Sequence, residues 1–115
     1  MFDDLTILKD ASALARYSAM RHQVIAENIA NANTPGYVAR DLEGFNAVYA
    51  AEKDTGRPID WRTVESKSAT ASSPNGNTVS LQEELVRSAQ TEGRHETAVA
   101  IYRKAIDILR IGLGR

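Results

Sequence analysis

Cysteine is absent from this 115-residue chain, which excludes disulfides, thiol nucleophiles and thiolate metal sites. The compartment stays open, because exported proteins can also lack cysteine. Aromatic residues reach only 6%, and alanine supplies much of the apolar content. That argues against a large compact core and suits close packing of helices through small side chains. No apolar run approaches the roughly 18 residues needed to span a membrane, so no direct membrane insertion is expected. Neither sign of charge is in excess: 14 basic residues face 15 acidic ones, for a net charge of −1. A dedicated nucleic-acid binder usually carries a basic surplus or stripe, so no nucleic-acid partner is expected. The opening MFDDLTILKD begins with acids instead of a basic region and has no long apolar stretch after it. No cleaved Sec-type signal peptide is expected.

What is present fits one ordinary domain spanning residues 1–115. Hydrophobic residues make up 43% and charged residues 25%, close to globular averages. Residues 4–32 read as a helix, capped by Asp3 or Asp4, with no Gly or Pro before Pro35. One stripe runs through Ile7, Ala11, Leu14, Ser18, Arg21, Ile25, Asn28 and Ala32. Its neighbour runs through Leu5, Leu8, Ser12, Ala15, Ala19, His22, Ala26 and Ile29. Together they make a broad, Ala-rich face.

Residues 79–113 carry a second helical pattern. Leu81, Leu85, Ser88, Glu92, His95, Val99, Tyr102, Ile106, Leu109 and Leu113 recur at steps of four and three, a heptad-like seam. The polar members are central and Gly93 lies among them, so a bend or weak packing is expected there. The start is signalled by an Asn75-Gly76-Asn77 turn and by Ser80 with Glu83 in capping-box spacing.

The connection, residues 33–78, reads as extended and irregular. Leu42, Phe45, Val48 and Tyr49 suit one helical turn or a docking segment. Residues 57–61 read as a short strand or extended piece anchored by Trp61, and residues 66–77 as a mobile polar linker. A helix of about 35 residues is about 50 Å long, whereas a compact chain of this size is roughly 35 Å across. The last helix therefore breaks near Gly93, or the molecule is a rod whose apolar seams need neighbours.

Chemistry finds little footing. His95-Glu96 begins an HExxH pattern, but position 99 is Val, so zinc-protease spacing fails. No phosphate loop, nucleophile elbow or metal-ligand cluster occurs, and no catalytic residue, cofactor or metal is expected. The Glu83-Glu84 pair is accounted for by the positive end of the helix dipole.

The stretch NIANANTPGY remains. Asn28 and Asn31 share a helix face, while Asn31 and Asn33 sit where the helix must end. Pro35 drives Thr34 out of the helical region, Pro35-Gly36 fits the centre of a type II turn, and Tyr37 is suited to clamp the returning chain. A generic helix stop needs one Asn and a Gly, not three Asn and TPGY. NIANANTPGY resembles the ANxxTPGY motif that ends the N-terminal helix in the flagellar rod and hook family of bacterial axial proteins. Asn75, Gly76, Asn77, Val79, Leu81 and Glu84 resemble the stretch that opens the C-terminal helix in small proximal members of that family.

The resemblance implies a mainly α fold: long N- and C-terminal helices packed as an antiparallel coiled-coil-like pair, joined by an extended, partly flexible segment. It implies a structural subunit of the proximal rod, assembling helically in the periplasm to transmit torque from motor to hook. The implied partners are further copies of the chain, FlgC-like and FlgF-like rod proteins, a FliE-like adaptor and the flagellar export gate, with export by the flagellar type III apparatus. Asn28, Asn31, Asn33, Thr34, Pro35, Gly36 and Tyr37 would then fix the helix exit and meet an adjacent subunit. Leu8, Leu14, Ile25, Ile29, Leu81, Leu85, Val99, Tyr102, Ile106 and Leu109 would hold the helix pair and its neighbours.

Overall fold

A computed structural model describes residues 2–58, 61–66 and 74–114, with side chains from residue 5 onward. The order is α1 (Phe2–Ala30), β1 (Arg40–Leu42), α2 (Phe45–Thr55), β2 (Thr63–Glu65) and α3 (Leu81–Gly112). The chain is mainly helical, and the two long helices pack against each other along an elongated body of 63 × 28 × 16 Å. Its radius of gyration is 17.5 Å, against about 13 Å for a compact chain of this length. Of the two shapes the helix length allowed, the rod is found, and α3 runs through Gly93 without a break.

α1 starts at Phe2, so Asp3 and Asp4 lie inside its first turn and not before it. Ala11, Ser18, Ile25 and Asn28 are buried on the first of the two predicted stripes. In the neighbouring stripe, Leu5, Ala19, Ala26 and Ile29 are exposed. A second buried line, Ala13, Tyr17 and Val24, turns toward the connection.

On α3 the buried residues are Glu84, Arg87, Thr91, Ala98 and Ala105. Four of these recur every seven residues, but the series lies one residue away from the large apolar seam. Leu81 and Leu85 therefore face outward, the latter 65% exposed. Val99, Ile106 and Leu109 are half-buried, at the edge of the contact, and Tyr102 is exposed. The offset has a physical cause. Ala98 and Ala105 let the backbones approach closely, and the buried polar group at Glu84 has its hydrogen-bond partner only on this face.

The connection holds more regular structure than its sequence announces. β1 and β2 form a two-stranded antiparallel sheet, with Arg40 opposite Glu65, Asp41 opposite Val64 and Leu42 opposite Thr63. Three residues per strand are too few for alternation to be read. Phe45, Val48 and Tyr49 are spaced to give α2 one apolar stripe, and Gly56 (φ 70) closes the helix with its N–H on the Glu52 carbonyl. Tyr17, Val24 and Leu42 form the core here, with Met20, Phe45, Val48 and Trp61 packed around them. Phe45 meets Tyr17 edge-on at 5.4 Å and stacks on Tyr49 at 5.2 Å. Of the short strand or extended piece predicted at 57–61, Arg57, Pro58 and Trp61 are outside any strand; Ile59 and Asp60 lie outside the described residues. So do residues 67–73 of the predicted polar linker.

Candidate assembly site

The end of α1 is built from the asparagines upward. Asn31 donates its side-chain N–H to the Glu27 carbonyl (2.8 Å). Its side-chain oxygen accepts from the Thr34 hydroxyl (3.0 Å). The backbone N–H of Ala32 reaches the Ile29 carbonyl (3.2 Å), so the last turn tightens before it stops. Thr34 to Tyr37 then form a turn closed by the Tyr37 N–H on the Thr34 carbonyl (3.2 Å). Gly36 carries φ +75, the geometry a type II turn requires at its third position. Asn33, Thr34, Pro35 and Gly36 are exposed.

Asn28 is fully buried (0% exposed), and all four of its amide positions are used. The nitrogen donates to the Arg40 carbonyl (2.7 Å) and to Glu84 Oε1 (3.1 Å). The oxygen accepts from the Tyr37 hydroxyl (2.9 Å) and the Arg40 N–H (3.0 Å). One side chain thus joins α1, the returning strand and the start of α3. Burial raises the Tyr37 pKa, helped by the charges of Glu27 and Glu84, so the phenol stays protonated as donor.

Glu84, 1% exposed, continues the network. Its Oε1 also accepts from Arg87 (2.8 Å), which in turn donates to Ser66. Its Oε2 is buried without a hydrogen-bond partner among the described residues. Burial pushes the Glu84 carboxyl up from its usual range, against the lowering effects of the Asn28 hydrogen bond and the Arg87 charge. Arg21 grips Asp41 through two bonds of 3.1 Å, and Asp41 lies 4.0 Å from Arg87. The helix dipole accounts for an acid at Glu84 but not for its burial beside Arg87. The signal for the burial of Glu84 is its seven-residue spacing to Thr91, Ala98 and Ala105.

A second seam joins the turn to the segment before α3. Asn77 donates to the carbonyls of Asn31 (2.8 Å) and Thr34 (2.7 Å). The Gly36 N–H reaches the Asn75 carbonyl (2.9 Å), and the Thr78 N–H reaches that of Tyr37 (3.0 Å). A Cβ on Gly76 (φ +85) would meet the Gly36 Cα at 3.4 Å, so the two turns abut through glycines. Ser80 then caps α3 by accepting from the Glu83 N–H, as the capping-box spacing indicated.

The centre of the helix pair is polar and incompletely bonded. Among the described residues, buried Ser18 Oγ, Thr91 Oγ1, His22 Nε2 and His95 Nδ1 have no hydrogen-bond partner. His22 Nε2 lies 3.2 Å from Glu92 without hydrogen-bond geometry. No group of three or more His, Cys, Asp or Glu residues is placed to hold a metal ion among the described residues. No described helix is long and apolar enough to cross a membrane.

Two long helices closed at one end by an Asn-rich TPGY turn are the arrangement expected from the resemblance of NIANANTPGY to flagellar axial proteins. Residues 11–37, from mid-α1 to Tyr37, match the model of the family described as "Flagella basal body rod protein". The chain is 30% identical over 102 residues to the flagellar basal body rod protein FlgB of Cereibacter sphaeroides, covering 75% of this chain and 77% of that protein. It is 29% identical over 102 residues to FlgB of Agrobacterium fabrum, covering 75% and 76%. The chain belongs to the flagellar basal body rod protein family.

Proposed function

We propose that the chain is a structural subunit of the proximal rod of the flagellar basal body, assembling helically with other rod proteins to carry torque from motor to hook. The observation that carries this reading is the division of side chains on the long helices. Small and polar residues make the internal contact, while Leu5, Ile7, Leu81, Leu85, Ile101, Ile108 and Ile111 stand exposed. So many exposed large apolar side chains on a slender body call for neighbours to cover them. The neighbours are copies of the chain, FlgC-like and FlgF-like rod proteins and a FliE-like adaptor beside the export gate. The subunit works in the periplasm, exported by the flagellar type III apparatus. Its role is noncatalytic. The TPGY turn, with Asn33, Thr34, Pro35 and Gly36 at the surface, meets the adjacent subunit.

The test is complementation of a strain lacking the subunit. Leu85→Asp and Asn33→Ala/Pro35→Ala variants are expected to abolish swimming and rod formation while circular dichroism of the purified chains stays unchanged. Full motility with both variants overturns the assembly reading. A stable, soluble one-to-one complex with a single other protein, with no incorporation into basal bodies, would mark an adaptor instead.

A further inference from the structure

Resting on the assembly reading, the structure carries one step further, to a specific contact between copies. An open groove of about 1020 Å³ runs between α3 and the unit formed by β1, β2 and α2. Tyr17, Phe45, Val64 and Val86 give it apolar walls. Its ionic groups are unbalanced. Arg21 is paired with Asp41 in the groove, and Arg87 with the buried Glu84, which lies outside the groove lining. That leaves Glu43, Glu65 and Glu83 against Arg94 along the groove. None of these three carboxylates is in an ion pair among the described residues, so the rim is acidic.

The far end of α3 has the opposite character. Ile108, Ile111 and Leu113 are 53%, 76% and 64% exposed, and Ile108 and Ile111 share a helix face. Arg103, Lys104 and Arg110 lie on the same last turns of α3 with the single acid Asp107, and all four are exposed. An apolar knob with a basic collar thus stands at one end of the rod, and an apolar groove with an acidic rim lies elsewhere on the same molecule.

We propose that the α3 end of one copy docks in this groove of the next. The occupant is a second copy because both complementary halves, in charge and in apolar surface, belong to this one chain. The contact joins different surfaces of the two copies, so it leaves a free knob and a free groove after every addition. Such a heterologous contact propagates as a helical row unless its rotation closes a ring. Pairing of knob with knob would stop at a dimer.

The chain lacks cysteine, so single cysteines report the contact cleanly. Two pools are prepared, one carrying Val86→Cys or Gln90→Cys in the groove, the other Ile111→Cys on the knob. Under mild oxidation the mixed disulfide is expected to exceed both self-disulfides, and only when the pools are combined. Glu83→Lys is expected to weaken association up to about fivefold, as a rim charge does, and Arg110→Glu in the other pool to restore it. Knob-to-knob disulfides alone, or charge reversal without rescue, overturn the proposal. If the mixed disulfide fails to form while the cysteine variants still restore motility, this contact is wrong and the rod reading stands. If motility also persists in the Leu85→Asp and Asn33→Ala/Pro35→Ala variants, both fall.

Discussion

Asn28 shows how much one side chain can hold at the end of a helix. Its four hydrogen bonds tie Tyr37, Arg40 and Glu84 to α1 at a site closed to water. Removing it leaves several buried polar groups unmatched, so Asn28→Ala is expected to destabilise the fold by about 3 kcal/mol or more, read as a loss in thermal unfolding by circular dichroism. Asn31→Ala should cost far less, because Asn31 bonds local groups near solvent. Glu84 gives a pH-dependent expectation. Its pKa in the fold is raised by burial, so the folded state holds the proton more tightly than the unfolded chain does. The resulting stability is fully present below the unfolded value, about 4.3, and is lost as pH rises through the folded one. The stability of the parent relative to Glu84→Gln should therefore fall as pH rises above about 4. A relative gain over the same range would show that the ion pair with Arg87 outweighs burial.

At the scale of the element, the glycines separate two kinds of position. Gly36 has φ +75, and a Cβ there would meet nothing within 4 Å. Gly36→Ala is thus expected to destabilise through backbone strain alone, by about 1 kcal/mol. Gly93 lies exposed inside α3, outside the positive-φ glycines, with open space around it. Gly93→Ala should stabilise by up to about 1 kcal/mol. Paired urea titrations of the two variants would give shifts of opposite sign. The helices themselves were legible: apolar periodicity, the Ser80 cap and the Pro35-Gly36 turn act through neighbours a few residues away. The elements of the connection were not. α2 shows one apolar stripe over 11 residues without a side-chain N-cap at Gly44, and the strands are too short to display a period. Trp61 could be read as an anchor, but the cluster it packs against, Tyr17, Val24 and Leu42, comes from other elements.

At the scale of the whole molecule, the extents of 63 × 28 × 16 Å describe a body too slender to bury its large apolar residues. Small-angle scattering of the dissociated chain should give a radius of gyration near the structure's 17.5 Å, not the roughly 13 Å of a compact domain. Self-association should weaken with added salt, because Glu65 on the rim and the charges of the knob are exposed and readily screened, while Glu43 and Glu83 are half-buried. Association unchanged by salt would remove the electrostatic part of the contact. The candidate site was partly legible at this scale. NIANANTPGY marked the turn, and Asn75 to Glu84 marked the segment that meets it. That they meet through Asn28, Asn77 and Glu84 could not be read, because the partners lie more than 40 residues apart in sequence.

The sequence by itself determined the two long helices, the turn that ends the first, the cap that begins the last and the likeness to flagellar axial proteins. Each of these rests on local dihedral preferences or on spacing along one helix. Only the tertiary structure decided which face of α3 turns inward. A period of seven fits the large-residue seam through Leu85, Val99 and Ile106 as well as the small-residue line through Glu84, Thr91, Ala98 and Ala105, one residue away. Periodicity locates a stripe but does not say what covers it. The close approach allowed by alanine and the Asn28–Glu84 bond chose the small line for the interior, and so left the large residues exposed or at the edge of the contact.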